Sequence, residues 1–509
     1  MSDPRPRALV IGAGLGGLAA AMRLGAKGYQ VEIYDRLDMP GGRGSSITQG
    51  GHRFDLGPTI VTVPNLFRDL WKACGRDFDQ EVDLRPLDPF YEIRWPDGTR
   101  FAVTDDQEQM RAQIEAISPE DLKRYEPFLK ACEKRYWFGY EDLGRRSLHK
   151  LWDLIKVLPT FAWLRADLSV YAEASRYFKD ERLRMAYSFH PLFIGGDPFK
   201  VTSMYTLVSH LEKAFGVHYA MGGVAAIAKA MANVVRDQGG ALTFGVDVDE
   251  ILVEHGRAVG LRLEDGREIK GDLVVSGADA GHTYKHLMRN ATVKRWTDAR
   301  LKRTKWSMGL FVWYFGTKGT ADKWKDVGHH TILNGPRYKG LVQDIFLKGK
   351  LAEDMSLYIH RPSVTDPTAA PAADDTFYVL SPVPHLGHDN GVDWQTERSV
   401  YRQKVLAVLE DQLLPGVTEH LGEELIFTPE EFMRRYRSPM GTGFSIEPRI
   451  LQSAWFRPHN ISEEVEGLYL TGAGTHPGAG LPGVVASAEV MAGLIPDAPS
   501  VAELPIAAQ

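Results

Sequence analysis

The chain has 509 residues, and its 44% hydrophobic, 25% charged and 10% aromatic content is that of a folded globular protein. This length exceeds what one simple core supports, so two domains are expected. The net charge of -6 argues against nucleic-acid binding, because nucleic-acid-binding proteins usually carry a strong basic excess.

Cysteine content and hydropathy indicate the compartment. The two cysteines, Cys74 and Cys132, belong to no CxxC or Cys/His pattern, so neither a disulfide framework nor a zinc site is expected. We expect no secretory signal, and no long, predominantly apolar run predicts a transmembrane helix. The sequence therefore predicts a protein of the reducing cytoplasm.

The first predicted elements form a β-α-β unit. Ala8–Ile11 is an apolar strand, Gly17–Gly28 reads as a helix rich in Ala and Leu, and a second strand ends at Asp35. A unit of this order begins a parallel sheet.

Three glycines join that strand to that helix, at Gly12, Gly14 and Gly17, in the G-x-G-x-x-G spacing. The first permits a tight turn, the second lets backbone approach a pyrophosphate, and the third lets the helix pack closely on the strand. The helix N-terminus offers free N–H groups to phosphate. Asp35 is placed to accept hydrogen bonds from the adenosine ribose hydroxyls. This context predicts dinucleotide binding rather than a structural turn.

A second glycine turn favours FAD over NAD. Gly41, Gly42 and Arg43 form a tight, cationic turn inside "DMPGGRGSSITQGGHRFDLGPTIVT", which continues to Pro58 and Thr59. The extension resembles the flavoprotein group containing the amine oxidases, the Rab GDP-dissociation inhibitors and the carotenoid desaturases. The resemblance implies an α/β fold with a discontinuous, Rossmann-like FAD-binding domain of the glutathione-reductase type, and it places these five residues near FAD.

The remaining elements support this organisation. We expect a hairpin over 91–103, mainly helices over 105–215, and strands from 241 to 279. The predicted FAD-binding domain takes residues 1–75, 220–292 and 455–496. The predicted substrate-binding and membrane-associating region takes 76–219 and 293–454.

A glycine-rich stretch near the C-terminus, "GAGTHPGAGLPGVVASAE", reads as a loop that feeds a helix. The resemblance implies that this loop covers the flavin, with Gly472 and Gly474 lying against the flat ring. The helix start at Pro482, Gly483 and Val484 would face the pyrimidine edge, where its dipole stabilises negative charge.

Longer motifs resemble the bacterial-type phytoene desaturases, most closely those of purple bacteria. They are "SFHPLFIGGDPFKVTSMYTLVSHLE", "YAMGGVAAIAKAM", "ILQSAWFRPHN" and "LYLTGAGTHPGAGLPGVVASAE". The resemblance implies FAD-dependent desaturation of phytoene, an apolar C40 carotenoid precursor, to neurosporene and/or lycopene. Hydride would pass to the flavin, and oxygen or a quinone would be the final electron acceptor. Val248 would lie beside the adenine, and Arg457 would orient cofactor carbonyls.

Candidates for proton transfer and metal binding are few. Asp153 is the candidate catalytic carboxylate, although a solvated helix position or an interaction with Lys156 is the simpler interpretation. The pair His329-His330 has no carboxylate or third ligand nearby in the sequence, so no metal site is predicted.

An amphipathic segment, "SLHKLWDLIKVLPTFAWLRADL", suggests how the chain reaches a lipid-dissolved substrate. Leu151, Leu154, Ile155 and Leu158 share one helical stripe. Flanking cations are Arg145, Arg146, Lys150, Lys156 and Arg165. The pattern suits an interfacial helix on anionic headgroups, and it equally suits a helix facing the core. Peripheral membrane attachment is the favoured prediction.

Alternative functions stay open. An amine oxidase would need an aromatic cage for a cationic amine, and none is recognisable. Another carotenoid-modifying flavoenzyme, such as a later-step desaturase, ketolase, saturase or isomerase, would share both glycine loops. A non-catalytic escort protein like the GDP-dissociation inhibitors is less favoured, because this chain retains the cofactor residues.

Overall fold

The computed structural model describes residues 5–388 and 391–499 as an α/β protein. Its strands are β1 Arg7–Ile11, β2 Gln30–Asp35, β3 Ser46–Gln49, β4 His52–Asp55, β5 Leu84–Pro86, β6 Tyr91–Arg94, β7 Arg100–Val103, β8 His218–Ala220, β9 Ala241–Phe244, β10 Val248–Glu254, β11 Arg257–Leu263, β12 Glu268–Lys270, β13 Leu273–Ser276, β14 Gly309–Thr317, β15 His330–Leu333, β16 Leu357–His360, β17 Asp375–Val383, β18 Leu421–Phe427 and β19 Leu468–Leu470. Its helices are α1 Leu15–Ala26, α2 Pro64–Ala73, α3 Phe78–Glu81, α4 Gln107–Ile117, α5 Pro119–Tyr136, α6 Leu151–Trp163, α7 Val170–Ala174, α8 Glu181–Ala186, α9 Leu207–Phe215, α10 Val224–Asp237, α11 Ala280–His282, α12 Asp298–Arg303, α13 Tyr338–Phe346, α14 Trp394–Gln412, α15 Pro429–Tyr436 and α16 Leu481–Ala492.

A five-stranded parallel sheet, in the order β19-β13-β1-β2-β9, carries the first glycine loop. Strand β1 is central and almost wholly buried because both faces of the sheet are covered. Ala8 and Val10 belong to the core that includes α1, α10 and α16. Leu9 and Ile11 belong to the core on the opposite face, with the small antiparallel sheet β10-β11-β12.

A seven-stranded mixed sheet forms the second large element, in the order β18-β14-β17-β16-β15-β6-β7. All its pairs are antiparallel except β15 with β6. Alternation along β17 directs Tyr378 towards the core containing the helical region. Its neighbours Phe377 and Val379 belong to the opposite core, beneath α14.

The expected elements are confirmed with small shifts. The hairpin predicted over 91–103 is β6 and β7, and the region 105–215 is mainly helical. Helix α1 begins at Leu15 rather than at Gly17, because Gly14 is extended and caps it. The domain division stays a prediction. The parallel sheet takes strands from 7–35, 241–276 and 468–470, and the mixed sheet takes strands from 91–103 and 309–427.

No helix within residues 5–388 and 391–499 is both long enough and apolar enough to cross a bilayer.

Candidate functional site

A cavity of about 690 Å³ extends from the first glycine loop to the mixed sheet. It brings together most of the cofactor residues predicted from the sequence. Those lining it are Gly12, Gly14, Asp35, Gly41, Gly42, Arg43, Pro58, Thr59, Val248, Gly472, Pro482, Gly483 and Val484.

The first loop has the geometry that its glycines predict. Gly12 has φ of +91°, and its N–H donates to the Tyr34 carbonyl at 2.8 Å. A Cβ on Gly17 would lie 1.9 Å from the Gly12 carbonyl oxygen, so only glycine allows α1 to pack here. A Cβ on Gly14 would meet no protein atom within 4 Å. The open space beside Gly14, at the N-terminus of α1, fits a pyrophosphate.

The late loop contacts the first loop directly. A Cβ on Gly16 would lie 3.1 Å from Gly472 Cα and 3.2 Å from Val484 Cγ1. The Gly472 N–H donates to the Ser487 hydroxyl, at 2.8 Å, which fixes the loop to α16. Helix α16 begins at Leu481 with Pro482 in its first turn, as the sequence predicted. Opposite ends of the chain therefore form one wall of the cavity.

Asp35 has hydrogen bonds of its own. Oδ2 accepts the Ala13 N–H at 2.6 Å and Oδ1 accepts the Leu37 N–H at 2.7 Å. Burial raises the pKa of this carboxyl above its ordinary value. A carboxylate has about four acceptor positions, so two bonds leave capacity for ribose hydroxyls. The ribose contact stays a prediction.

Unsatisfied arginine donors mark the polar end of the cavity. Arg43 Nε and the Nε and Nη2 of Arg435 are buried without a hydrogen-bond partner in the described structure. Both guanidinium carbons lie 5.8 Å from the centre of the Tyr436 ring. Burial lowers the pKa of Arg43, while the Asp279 carboxylate favours its charged form. Donors of this kind fit a diphosphate, so the residues here fit FAD.

Arg435 and Asp279 escaped the sequence analysis. Both line the cavity. Asp279 belongs to the segment "SGADA", whose small residues indicate only a turn. Arg435 lies in α15, where nothing in the local sequence separates it from neighbouring Arg434.

Three predicted site residues need correction. Arg457 is not in the cavity lining; its guanidinium donates to the carbonyls of Thr475, Ala473, Ile446 and Gln452, at 2.7–3.3 Å. It thus fixes the late loop instead of orienting cofactor carbonyls. Gly474 packs against another element, because its Cβ would lie 3.0 Å from Ala280 Cβ.

Asp153 is the third predicted site residue that lies elsewhere than expected. It lies in the first turn of α6, where Oδ2 accepts the Lys150 N–H at 3.2 Å. Its neighbours Leu154 and Leu158 line the cavity, whereas Asp153 does not. The structure therefore shows Asp153 capping α6 outside the cavity lining, and its catalytic role stays a prediction.

The other end of the cavity is apolar. Its lining includes Leu192, Phe193, Leu211, Leu310, Leu380, Phe432 and Phe444. Some polar atoms here pair with each other, since Thr59 Oγ1 and the Tyr358 hydroxyl lie 2.6 Å apart, whereas His190 Nδ1 and the Tyr140 hydroxyl have no partner in the described structure. Two titratable residues, His190 and Glu212, also line this region and were missed from the sequence. Such a surface selects a ligand by shape rather than by charge.

A buried histidine cluster lies in the mixed sheet. A third nitrogen ligand was missed from the sequence, because His360 is distant in the sequence but brings one ligand nitrogen from each of the three rings within 4.8 Å of the others. His329 Nε2 and His360 Nε2 are 3.0 Å apart, and His330 Nδ1 is 3.1 Å from the Phe90 carbonyl oxygen. Burial lowers the pKa of all three rings, which are therefore neutral. The absence of a metal site stays a prediction.

Comparison with known proteins identifies the family. The flavin-containing amine oxidoreductases match residues 15–495, which begin inside the first glycine loop and include the late loop. The chain belongs to this family. The match also agrees with the fit of the cavity to a flavin dinucleotide, so FAD is its cofactor.

Relatives of this oxidoreductase include named phytoene desaturases, which confirms the resemblance seen in the sequence. The neurosporene-forming enzyme of Cereibacter sphaeroides is 71% identical, over 97% of this chain and 95% of its own. The neurosporene-forming enzyme of Rhodobacter capsulatus is 67% identical, over 99% of this chain and 96% of its own. A lycopene-forming enzyme from a Paracoccus species is 42% identical, over 95% and 96%.

Solved structures confirm the fold class. Cyclohexylamine oxidase from Brevibacterium oxydans aligns with a TM-score of 0.61 at 15% identity, covering 96% of this chain and 98% of its own. A Rab GDP-dissociation inhibitor from Plasmodium falciparum aligns with a TM-score of 0.55 at 11% identity, covering 96% of this chain and 98% of its own. At these identities the likeness concerns the fold alone.

Two alanine substitutions in the first loop should separate packing from cofactor binding. Gly17→Ala forces a methyl against the Gly12 carbonyl, so the apoprotein should lose about 1–3 kcal/mol of unfolding free energy. The methyl group added by Gly14→Ala meets no protein atom within 4 Å, so apoprotein stability should be unchanged. The methyl group would occupy the space that fits the pyrophosphate, so FAD affinity should fall at least about tenfold. Urea unfolding and flavin titration measure the two effects. Equal stability losses in both variants would contradict this assignment.

The histidine cluster predicts an acid-sensitive stability. His330 has its pKa lowered to about 3, so between pH 6.5 and 3 the unfolded chain binds its proton and the folded protein does not. The contribution of neutral His330 to the free energy of unfolding is therefore complete above pH 6.5, and it decreases as the pH falls from 6.5 to 3. His330→Asn should reduce the slope by up to about 1.4 kcal/mol per pH unit.

Urea unfolding across pH 4–7 (roughly the titrating window) measures this slope. The matched control is His255→Asn at an exposed histidine, which should leave the slope unchanged. Identical slopes in wild type and His330→Asn would refute the assignment.

Proposed function

We propose that this oxidoreductase desaturates phytoene with FAD as its oxidant. One observation carries the proposal: a single cavity joins the diphosphate-fitting arginines and glycine loops to a long apolar lining. A flavin and a hydrocarbon can therefore meet without crossing solvent. The relatives at 71% and 67% identity, both named as phytoene desaturases, support the same substrate.

The chemistry of the bound group is hydride acceptance, which the flavin supplies. The protein's part is to orient the hydrocarbon and exclude water. A hydrocarbon offers no hydrogen-bonding group, so Leu310, Phe193, Phe432 and Phe444 position it by contact alone. The N-terminus of α16, around Pro482, lines the cavity, and its helix dipole would favour negative charge on a flavin ring bound beside it.

The proposed product is neurosporene. The two neurosporene-forming relatives exceed the lycopene-forming Paracoccus enzyme in identity by a wide margin, 71% and 67% against 42%. Oxygen or a quinone is the proposed final electron acceptor, as the sequence resemblance implies.

We also propose that α6 attaches the protein to a lipid surface. Leu151, Trp152, Ile155 and Leu158 are exposed on it, and Trp163, at its end, is 65% exposed. A helix that faced the core would bury these side chains. Apolar exposure of this kind marks an interaction surface.

Fewer unpaired positive charges flank this surface than the sequence suggested. Arg145, Arg146 and Arg165 form ion pairs with acidic residues. Lys150 and Lys156 are exposed beside the apolar side chains. Attachment is therefore expected to depend mainly on apolar insertion, with a modest contribution from anionic headgroups.

The exposed surface is also the mouth of the cavity. Leu158 and Leu451 are 51% and 69% exposed, and both line the cavity, as does the partly exposed Ile450. A substrate dissolved among acyl chains could pass from the surface to the apolar lining along hydrophobic contacts alone. This continuity supports the combination of a lipid-dissolved substrate with peripheral attachment.

Reconstitution tests the proposed reaction. The FAD-loaded protein is mixed anaerobically with phytoene-containing liposomes while flavin absorbance and extracted pigments are followed. Bleaching of the flavin together with neurosporene is the expected result. The Gly14→Ala variant, assayed at FAD concentrations that leave it unloaded, provides the control. Oxidised flavin and unchanged phytoene in folded, vesicle-bound protein would overturn the proposal.

Removal of the exposed apolar side chains tests attachment. The triple variant Leu151→Ser, Trp152→Ser, Ile155→Ser should lose at least about tenfold in vesicle binding, because it removes the inserted apolar area. None of the three lines the cavity, so FAD affinity should be unchanged. Co-sedimentation with liposomes measures binding.

The matched control replaces exposed apolar residues elsewhere, at Leu347, Val400 and Met433, with serine. That triple variant should bind vesicles like the wild type. Equal losses in both triple variants would show that α6 is not the attachment surface.

A further inference from the structure

Three polar side chains form a group within the apolar part of the cavity wall. Tyr91 is in β6, His190 begins the 3₁₀ turn His190–Ile194, and Glu212 is in α9. All are buried, and His190 and Glu212 line the cavity. Because a buried carboxylate is costly unless it is well partnered, its presence in a hydrocarbon channel calls for a chemical reason.

One oxygen of Glu212 is held from two sides. The Tyr91 hydroxyl donates to Oε2 at 3.0 Å, and His190 Nε2 lies 3.3 Å from the same oxygen. Since an ionised carboxylate only accepts, this contact makes Nε2 the donor of the imidazole. Burial and the Glu212 carboxylate hold the pKa of Tyr91 well above its ordinary value, so its hydroxyl stays a donor.

The second oxygen of Glu212 is available. Oε1 makes no hydrogen bond with the described residues, although Glu212 lines the cavity. Tyr91 and His190 contact the carboxylate, and Tyr187 is close enough to interact with it electrostatically. The carboxylate is therefore oriented through Oε2, and Oε1 is the oxygen open to accept a proton.

The group is linked in space to the flavin side of the cavity. The turn that starts at His190 ends at Ile194, whose Cγ2 would lie 3.3 Å from a Cβ on Gly480. Gly480 caps α16, and both Gly480 and Pro482 line the same cavity. Glu212 thus belongs to the wall that leads from the hydrocarbon lining to the start of this helix.

We propose that Glu212 Oε1 accepts the proton released in desaturation, with Tyr91 and His190 as positioning residues. This inference rests on the proposed function. For each new double bond, the substrate loses a hydride, with two electrons, to the bound flavin and a proton to Oε1. The electron pair of the second C–H bond becomes the new π bond, and an O–H bond forms on Glu212.

The demands of this step suit a carboxylate. Loss of hydride leaves an electron-poor allylic carbon, which makes the adjacent C–H strongly acidic. A strong base is therefore unnecessary, and a fixed acceptor at the right place is sufficient. Glu115 offers a matched comparison, because it is an exposed carboxylate of α4 that does not line the cavity.

Single-turnover flavin reduction by phytoene tests the role. Glu212→Gln keeps the size of the side chain and removes the base, so the rate should fall by about 10²-fold or more. Glu212→Asp restores a carboxylate and should recover part of the rate, which a purely structural role would not produce. Glu115→Gln should reduce flavin at the wild-type rate.

A second measurement is independent of turnover. In the apoprotein, ¹⁵N NMR of the histidine rings should show His190 protonated at Nε2, with the signal identified by its loss in His190→Asn. Glu212→Gln should shift that resonance while FAD affinity and the thermal midpoint stay close to wild type. If Glu212→Gln does not fold, Glu212→Asp and Tyr91→Phe replace it in both measurements.

The outcomes separate the two proposals. Wild-type protein that leaves phytoene unchanged would overturn the proposed function. Wild-type protein that converts phytoene, with Glu212→Gln equally fast, would overturn only the role of Glu212. An unshifted His190 resonance in Glu212→Gln would overturn the hydrogen-bonded arrangement itself.

Discussion

Contact between two glycine loops from opposite ends of the chain is the constraint on which the site depends. Gly16 and Gly17 have no room for a side chain, because one faces Gly472 and the other faces the Gly12 carbonyl. The absence of these side chains lets α1 and the late loop share one wall. Everything else in the cavity, from the arginine end to the hydrocarbon lining, is arranged around that wall.

The cavity combines two environments that normally exclude each other. Arg43 and Arg435 offer charged donors to a diphosphate, whereas Leu310 and Phe444 offer only contact to a hydrocarbon. A flavin dinucleotide carries its charged diphosphate between the adenosine and the flat flavin ring, so the diphosphate can meet the arginines while the ring meets the hydrocarbon lining. The few polar groups left at the apolar end, Glu212 among them, act in a medium of low dielectric where their orientation has large effects.

Sequence reasoning succeeded where function depends on local spacing. Gly12, Gly14 and Asp35 lie within one β-α-β unit, so their geometry followed from the strand and helix that carry them. It failed where long-range contacts decide. Tyr91 and Glu212 are 121 positions apart. Whether Arg457 faces a cofactor or main-chain carbonyls depends on a loop that folds back over it.

The discontinuous parallel sheet also determines when the cofactor domain can be completed during synthesis. Strand β1 is made long before β19 and α16, so its sheet lacks both until residues 468–492 leave the ribosome. At ordinary translation speeds, about 450 residues take roughly 20–90 s. Throughout that interval the first loop is without its partner wall. The FAD site can therefore be completed only after residues 468–492 have been made and have folded onto the first loop.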